Sequence, residues 1–219
     1  FLECAWEALE SAGITLEEAR ERRTGVFLGM ATSDYLNAHL ADTDTADAHT
    51  ALGGDPVFAA GRLSHFLDVR GPSMVLNTYC SSSLVALHAA GLALRAGDCD
   101  HAIVAGVNAI LWPQQTAITA SFDALSPDGQ CRAFGAGANG FVRSEGCALV
   151  LVRRLSDAIA DGDEILAVVD GTAVNHDGRS RGLTVPNGVA QELLIRDALE
   201  RAKIAASEVT YVEAHGTGT

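Results

Sequence analysis

The stretch Ser73-Met74-Val75-Leu76-Asn77-Thr78-Tyr79-Cys80-Ser81-Ser82-Ser83-Leu84-Val85-Ala86-Leu87-His88 decides the reading of this chain. An apolar, strand-like run reaches a cysteine, three serines follow, and an Ala/Leu-rich helical pattern begins. The spacing predicts a strand, a short turn and a helix, with Cys80 at or near the helix N-terminus. A thiol there meets free backbone N–H groups and the positive end of the helix dipole, a setting that favours a nucleophilic thiolate. On spacing alone two readings stand, a nucleophile or a buried structural cysteine.

Outward from this stretch, the same alternation continues. Phe1 to Ala12 reads as an amphipathic helix stopped by Gly13, and Thr24 to Met30 as a strand. Residues 31–56 read as polar and irregular, with His39 and His49 on the surface and Asp42, Asp44 and Asp47 in a solvated loop. Pro56 to Leu67 reads as a helix. Leu84 to Arg95 carries apolar residues on most faces, which predicts a helix buried on nearly all sides. His101 to Ile110 and Cys147 to Val152 read as interior strands, and Ser126-Pro127-Asp128-Gly129 as a turn. The polar stretch Ser156 to Glu164 is read as the boundary between two halves, 1–160 and 161–219. Beyond it come a strand from Ile165 to Val174, a helix from Gly188 to Lys203 with Val189, Leu193, Leu194, Ala198, Leu199 and Ala202 inward, a turn capped by Ser207, and a strand from Val209 to Val212. Strands separated by helices and loops indicate an α/β fold with a largely parallel sheet.

Composition narrows the function. The 219 residues are 48% hydrophobic and 20% charged, and their formal net charge is −13. That balance suits a globular core. It argues against nucleic acid and anionic membranes, both of which demand basic patches. No apolar run reaches the roughly 18 residues of a membrane span. Five cysteines without a CxxC pair suggest neither a disulfide framework nor structural zinc, and a reducing, cytoplasmic setting fits best. The chain starts without Met inside a helical pattern and stops at Thr219, so it is read as an internal piece of a longer protein.

A second candidate stands at His215, in the Gly/Thr-rich stretch Glu213-Ala214-His215-Gly216-Thr217-Gly218-Thr219. Loops at strand ends are where α/β proteins place chemistry; the alternative is a satisfied structural histidine. A cysteine paired with a histidine allows acyl transfer through a thioester and equally allows proteolysis, so the pair does not name a reaction. The remaining polar residues read as support. Cys131 is a supporting residue and Glu145 a buried partner for a nearby donor. His88 is a core histidine, and Cys4, Cys99 and Cys147 are packing. Asn175-His176-Asp177 offers too few ligands for a metal, and none is expected.

Four ordered blocks carry a resemblance. They are Asn77 to His88, Leu125 to Phe134, Asn175 to Ser180 continuing to Gly188, and Tyr211 to Thr219. Together they resemble the β-ketoacyl synthase (ketosynthase) domain of modular type I polyketide synthases, over the whole chain. The resemblance implies a thiolase-like layered α-β-α-β-α fold, truncated at both ends. Residues 1–160 would then be the C-terminal part of the N-terminal half, and 161–219 the start of the C-terminal half. It implies that Cys80 accepts an acyl chain from an acyl carrier protein. His215 then assists decarboxylation of a malonyl-type extender and stabilises the enolate. By the same likeness Thr217 and Thr219 hydrogen-bond the phosphopantetheine arm. That arm arrives on the carrier, so no directly bound cofactor is expected; a homodimer is.

The chain departs from the family pattern at several positions. Tyr79 replaces a usual Ala and is a candidate to line the acyl pocket. Asn77, Gly135 and Asn139 replace Asp, and Ser144 replaces Gly. The family's first strand, second histidine, lysine and C-terminal glycine-rich turn lie outside the sequence, so this chain alone is expected not to condense substrates. Two rival classes are a coenzyme A-dependent thiolase-fold enzyme and an inactive ketosynthase-like domain kept for dimerisation or carrier docking. Ser126-Pro127-Asp128-Gly129 and the His215 block favour the carrier-dependent ketosynthase over the first.

Overall fold

The sheet is built from runs whose side chains alternate between two greasy layers. The structure, a computed structural model, describes residues 1–41, 44 and 47–219. Helix α1 (Leu2–Ser11) and the short α2 (Leu16–Glu21) lead into β1 (Thr24–Gly29). Helices α3 (Asp34–Leu40), α4 (Ala48–Gly54) and α5 (Val57–Leu67) follow, then β2 (Ser73–Leu76). A 3₁₀ turn (Tyr79–Ser81) enters α6 (Ser82–Ala96), and β3 (His101–Asn108), α7 (Pro113–Ala120), β4 (Gly146–Arg153), α8 (Leu155–Asp161) and α9 (Gly188–Ala202) complete the order. The sheet order is β2-β1-β3-β4. β1 pairs in parallel with β2 and β3, while β3 and β4 run antiparallel.

Period-two alternation sends Val26 and Leu28 of β1 to one face and Phe27 to the other. On the first face they meet Ala5 and Leu9 of α1, Ala19 of α2 and Leu63 and Leu67 of α5. On the second, Phe27, Ala102 and Val104 meet Ala86, Ala90 and Leu94 of α6. The result is a sheet between helical layers.

Several expectations fail for identifiable reasons. Residues 31–56 are not simply irregular. Ser33 caps α3 by accepting from Leu36 N, and Asp47 caps α4 by accepting from Thr50 N. Asp47 is therefore a helix cap; Asp42 lies outside the described residues. His39 is half-buried and packs edge-on against Tyr35 at 4.5 Å, whereas His49 is exposed. β4 is an edge strand, paired only with β3 among the described residues. Part of the boundary stretch Ser156 to Glu164 is helical, as α8.

Helix α6 buries one face on the sheet but leaves Leu84 (69%) and Leu92 (50%) exposed. His88 is half-buried and its Nδ1 lies 2.8 Å from Thr172 Oγ1, so it joins two parts of the chain rather than sitting in a core. Its pKa is lowered by desolvation, then by the nearby Arg201 and Arg95. Ile165 to Val174 and Val209 to Val212 form no strand. A strand exists only with a ladder, and neither segment finds a backbone partner strand among the described residues. The first segment instead lies against α9. A Cβ on Gly171 would sit 2.6 Å from Ala198 O, and Asn175 Nδ2 donates to Ala190 O at 2.7 Å. Ala190 is accordingly the buried residue of α9, while Val189 and Leu193 face outward. Ser207 lies within the 3₁₀ turn Ala206–Glu208, but the cap is the Glu208 carboxylate, which accepts from Ala205 N at 2.6 Å. No helix among the described residues is long and apolar enough to cross a membrane.

Candidate active site

Cys80 sits where the edge strand β2 gives way to α6, exposed and in the middle of the 3₁₀ turn. The serines around it are structural. Ser82 Oγ accepts from Thr78 N (2.9 Å) and donates to Tyr79 O (2.6 Å). Ser81 Oγ lies 2.9 Å from Thr78 O and 2.8 Å from Thr78 Oγ1. Asn77 ties the approach, donating to Ala31 O at 3.0 Å and accepting from Tyr79 N at 3.2 Å. Tyr79 adopts φ +54, a left-handed conformation that costs a bulky residue on the order of 1–3 kcal/mol. The residue is 72% exposed. The turn holds that backbone through the Ser82 and Asn77 bonds on either side of it.

What seats this turn is glycine across the sheet. A Cβ on Gly29, the last residue of β1, would lie 2.5 Å from Ser83 N and 2.6 Å from Ser82 C. A Cβ on Gly106 in β3 would lie 2.9 Å from Ser83 Cβ. Only glycine at these two positions lets the first turn of α6 rest directly on the strands. Nothing local in the sequence announces the Gly29 contact, because it joins residues more than fifty positions apart.

His215 is exposed and ends the unladdered segment that follows Val209. Thr217 and Thr219 are brought together, their hydroxyl oxygens 2.8 Å apart. The loop that holds them rests on another loop. Cys131 Sγ donates to Thr217 O (3.1 Å) and Gly216 O (3.5 Å), and Gly140 N donates to Gly218 O (2.9 Å). No hydrogen bond joins the Cys80 thiol to the His215 imidazole, and each side chain is without a hydrogen-bond partner among the described residues. Two hollows, one of about 600 Å³ along α9 and one of about 560 Å³ between α1 and α5, contain neither residue.

The supporting loop has its own charge centre. Asp128 receives both Arg132 guanidinium nitrogens (3.0 and 2.7 Å), Ser126 Oγ (2.6 Å) and Asn139 Nδ2 (3.5 Å). The Arg132 bond, then the Ser126 bond, holds the Asp128 carboxyl well below the usual carboxylate range. A carboxylate at 139 would face Asp128 with like charge; Asn139 instead donates an amide at 3.5 Å. Glu145 is exposed rather than buried and accepts from Ile110 N at 2.6 Å. Buried Asp34 accepts from Leu111 N (3.1 Å) and Trp112 N (3.2 Å). Those two carboxylates hold three consecutive amides ahead of α7, a role that the sequence reading missed for Asp34. His176 and Asp177 are engaged in a turn, accepting from Gly178 N (2.9 Å) and Asn187 N (3.2 Å). Among the described residues no group of three His, Cys, Asp or Glu could hold a metal.

Comparison with known families matches residues 1–158 to the beta-ketoacyl synthase N-terminal domain and 166–219 to the beta-ketoacyl synthase C-terminal domain. The chain belongs to the beta-ketoacyl synthase family. Two of its relatives are components of the phenolphthiocerol/phthiocerol polyketide synthase of Mycobacterium tuberculosis. Over its whole length it is 53% identical to one of them, of which it covers 12%. To the other it is 48% identical, and it covers 10% of that polypeptide. Among solved structures, an oxazolomycin ketosynthase domain from Streptomyces albus superposes with a TM-score of 0.92 at 45% identity. The ketosynthase from module 6 of the Bacillus subtilis bacillaene synthase superposes at 0.91 and 39% identity. The chain is fully covered in both, and spans 39% and 37% of those chains. This beta-ketoacyl synthase chain thus has the thiolase-like layered α/β fold, and its likeness is to ketosynthase domains of modular polyketide synthases.

Proposed function

We propose that this chain carries the nucleophile half of a decarboxylating acyl condensation in polyketide synthesis. The Cys80 sulfur attacks an acyl thioester on an acyl carrier protein, and the carrier's pantetheine thiol leaves with the proton. A malonyl-type unit on a carrier then loses carbon dioxide. Its enolate carbon attacks the Cys80 thioester, a C–C bond forms, the C–S bond breaks, and the thiolate is released. His215 donates a hydrogen bond to the developing enolate oxygen, where directed donors act most strongly. Thr217 and Thr219, side by side, hold the pantetheine amides, and Tyr79 borders the acyl chain.

The observation that carries this reading is the seat of Cys80, an exposed thiol on a strained turn at the head of α6, in a chain of ketosynthase family. The outer edge of β2 beside that turn, unpaired among the described residues, supports a dimer. The test is to incubate the full-length protein with an acyl-pantetheine thioester and locate the adduct by mass spectrometry. The adduct is expected on Cys80, absent in Cys80→Ala, and decarboxylation of a malonyl thioester is expected to fall by about 100-fold or more in His215→Ala. A folded protein without an adduct refutes the reading and leaves a dimerisation or carrier-docking role.

A further inference from the structure

The loop from Ser126 to Phe134 has no part in the bond-making steps, yet it is the support of the loop that follows His215. Three successive carbonyls, of Gly216, Thr217 and Gly218, are all satisfied from residues 131 and 140. Gly216 and Gly218 take φ +52 and +72. A Cβ on Gly218 would lie 3.1 Å from Arg132 N, and one on Gly216 would lie 3.3 Å from Ala133 Cβ. Gly218 therefore packs directly on the Arg132 backbone, and Gly216 on the Ala133 methyl. Cys131 is the side-chain donor across this contact, its sulfur reaching two carbonyls at 3.1 and 3.5 Å. Its neighbour Arg132 is clamped on Asp128 by a two-pronged pair, so the thiol is presented from a fixed base.

We propose that Cys131 is a positioning residue: its S–H, shared between the Gly216 and Thr217 carbonyls, sets the direction in which the Thr217 and Thr219 hydroxyls meet the pantetheine arm. A thiol is a weak donor, but here it bridges two acceptors at a loop whose glycines impose no direction of their own. Cys131 is exposed, and its sulfur faces the Gly216 and Thr217 carbonyls. A hydroxyl in the same place keeps a donor; a methyl does not. The inference rests on the reading that Thr217 and Thr219 hold the pantetheine arm of a Cys80-bound substrate.

The experiment uses the full-length protein as wild type, Cys131→Ala, Cys131→Ser and Cys80→Ala. Rates of Cys80 acylation are measured against acyl-pantetheine concentration, with exchange of the Gly140 amide, whose bond to Gly218 O reports the loop. Cys131→Ala is expected to raise the half-saturating concentration about fivefold with less than a twofold change in the maximal rate, and to speed Gly140 exchange about tenfold. Cys131→Ser is expected to restore both to within twofold. Unchanged half-saturation in Cys131→Ala, or a serine variant as impaired as the alanine variant, overturns the proposal. Should Cys131→Ala not fold, the serine variant decides alone: restoration supports the donor and a fivefold loss refutes it. Absence of any Cys80 adduct in the wild type would instead refute the function reading; the Gly140 exchange series then still decides whether Cys131 holds the loop.

Discussion

Gly29→Ala is the sharpest probe of how this protein seats its thiol. The added methyl would stand 2.5 Å from Ser83 N, 2.6 Å from Ser82 C and 2.7 Å from Ser83 Cα, all backbone atoms. Comfortable carbon contacts begin near 3.5 Å, so helix and strand must separate by about 1 Å. Overpacking of this kind costs about 1–3 kcal/mol. That range corresponds to about 5- to 150-fold faster amide exchange in β1 and the first turn of α6. The displaced helix continues from the 3₁₀ turn that holds Cys80, and under the proposed role of that thiol a shift of about 1 Å is worth about 100-fold in acylation rate. Gly106→Ala, whose methyl meets a side-chain atom at 2.9 Å, ranks below it. Gly61→Ala in α5 meets nothing within 4 Å and should stabilise by about 0.5–1 kcal/mol. Hydrogen exchange of the full-length variants, with acylation of Cys80 alongside, measures the series. Wild-type exchange and acylation in Gly29→Ala would refute the close-approach reasoning.

Other outcomes follow from single contacts. His101 is buried at the start of β3 with its Nε2 unpartnered, and burial, then Arg153 and Arg22, lowers its pKa, against Asp163 and Asp100. The unfolded chain therefore takes up the proton first. Stability should be full above about pH 6.5 and fall as the pH drops below it. Denaturation midpoints between pH 8 and 5.5 should show this slope, flattened in His101→Gln. Asp34→Ala should cost about 1–3 kcal/mol by stranding the Leu111 and Trp112 amides, with Asp34→Asn retaining most of the bonding; exchange at those amides reads the difference. Arg154 donates to Leu94 O, Cys99 O, Asp100 and Asp157 at 2.7–3.0 Å, joining the ends of α6, β3 and α8. Arg154→Ala should lower stability by about 2 kcal/mol, visible as a shifted denaturation midpoint.

The elements legible in the sequence are those whose signal is local. The β-branched run of β3, the apolar run of β1 and the helical spacing of α5 and α6 each state their own conformation. Cys80 at the head of α6 was legible for the same reason. The short helices were harder. α2 announces itself only by the Thr15/Glu18 capping box, and α4, within the stretch read as irregular, by the Asp47/Thr50 pair. The run Ile165 to Val174 has strand composition but no ladder, because pairing belongs to the neighbour and not to the segment. The leucines of α6 suggested burial all round, and composition does not say which face meets the sheet. Of the candidate site, the placement of Cys80 at a strand-to-helix turn was legible, but the contacts that support the two loops were not. The Gly29–Ser83 approach, the Cys131 bond to Thr217 O and the Asp34 clamp all join positions far apart in the chain.

The two unladdered segments also bear on how this polypeptide behaves in a tube. Along residues 164–174 and 210–215 no strand among the described residues pairs with the backbone, and Leu166, Val169, Tyr211 and Val212 are exposed beside it. Such rows are templates for another strand of any origin. A peptide of strand composition is expected to pair along them, and slower exchange of their amides in its presence would show it.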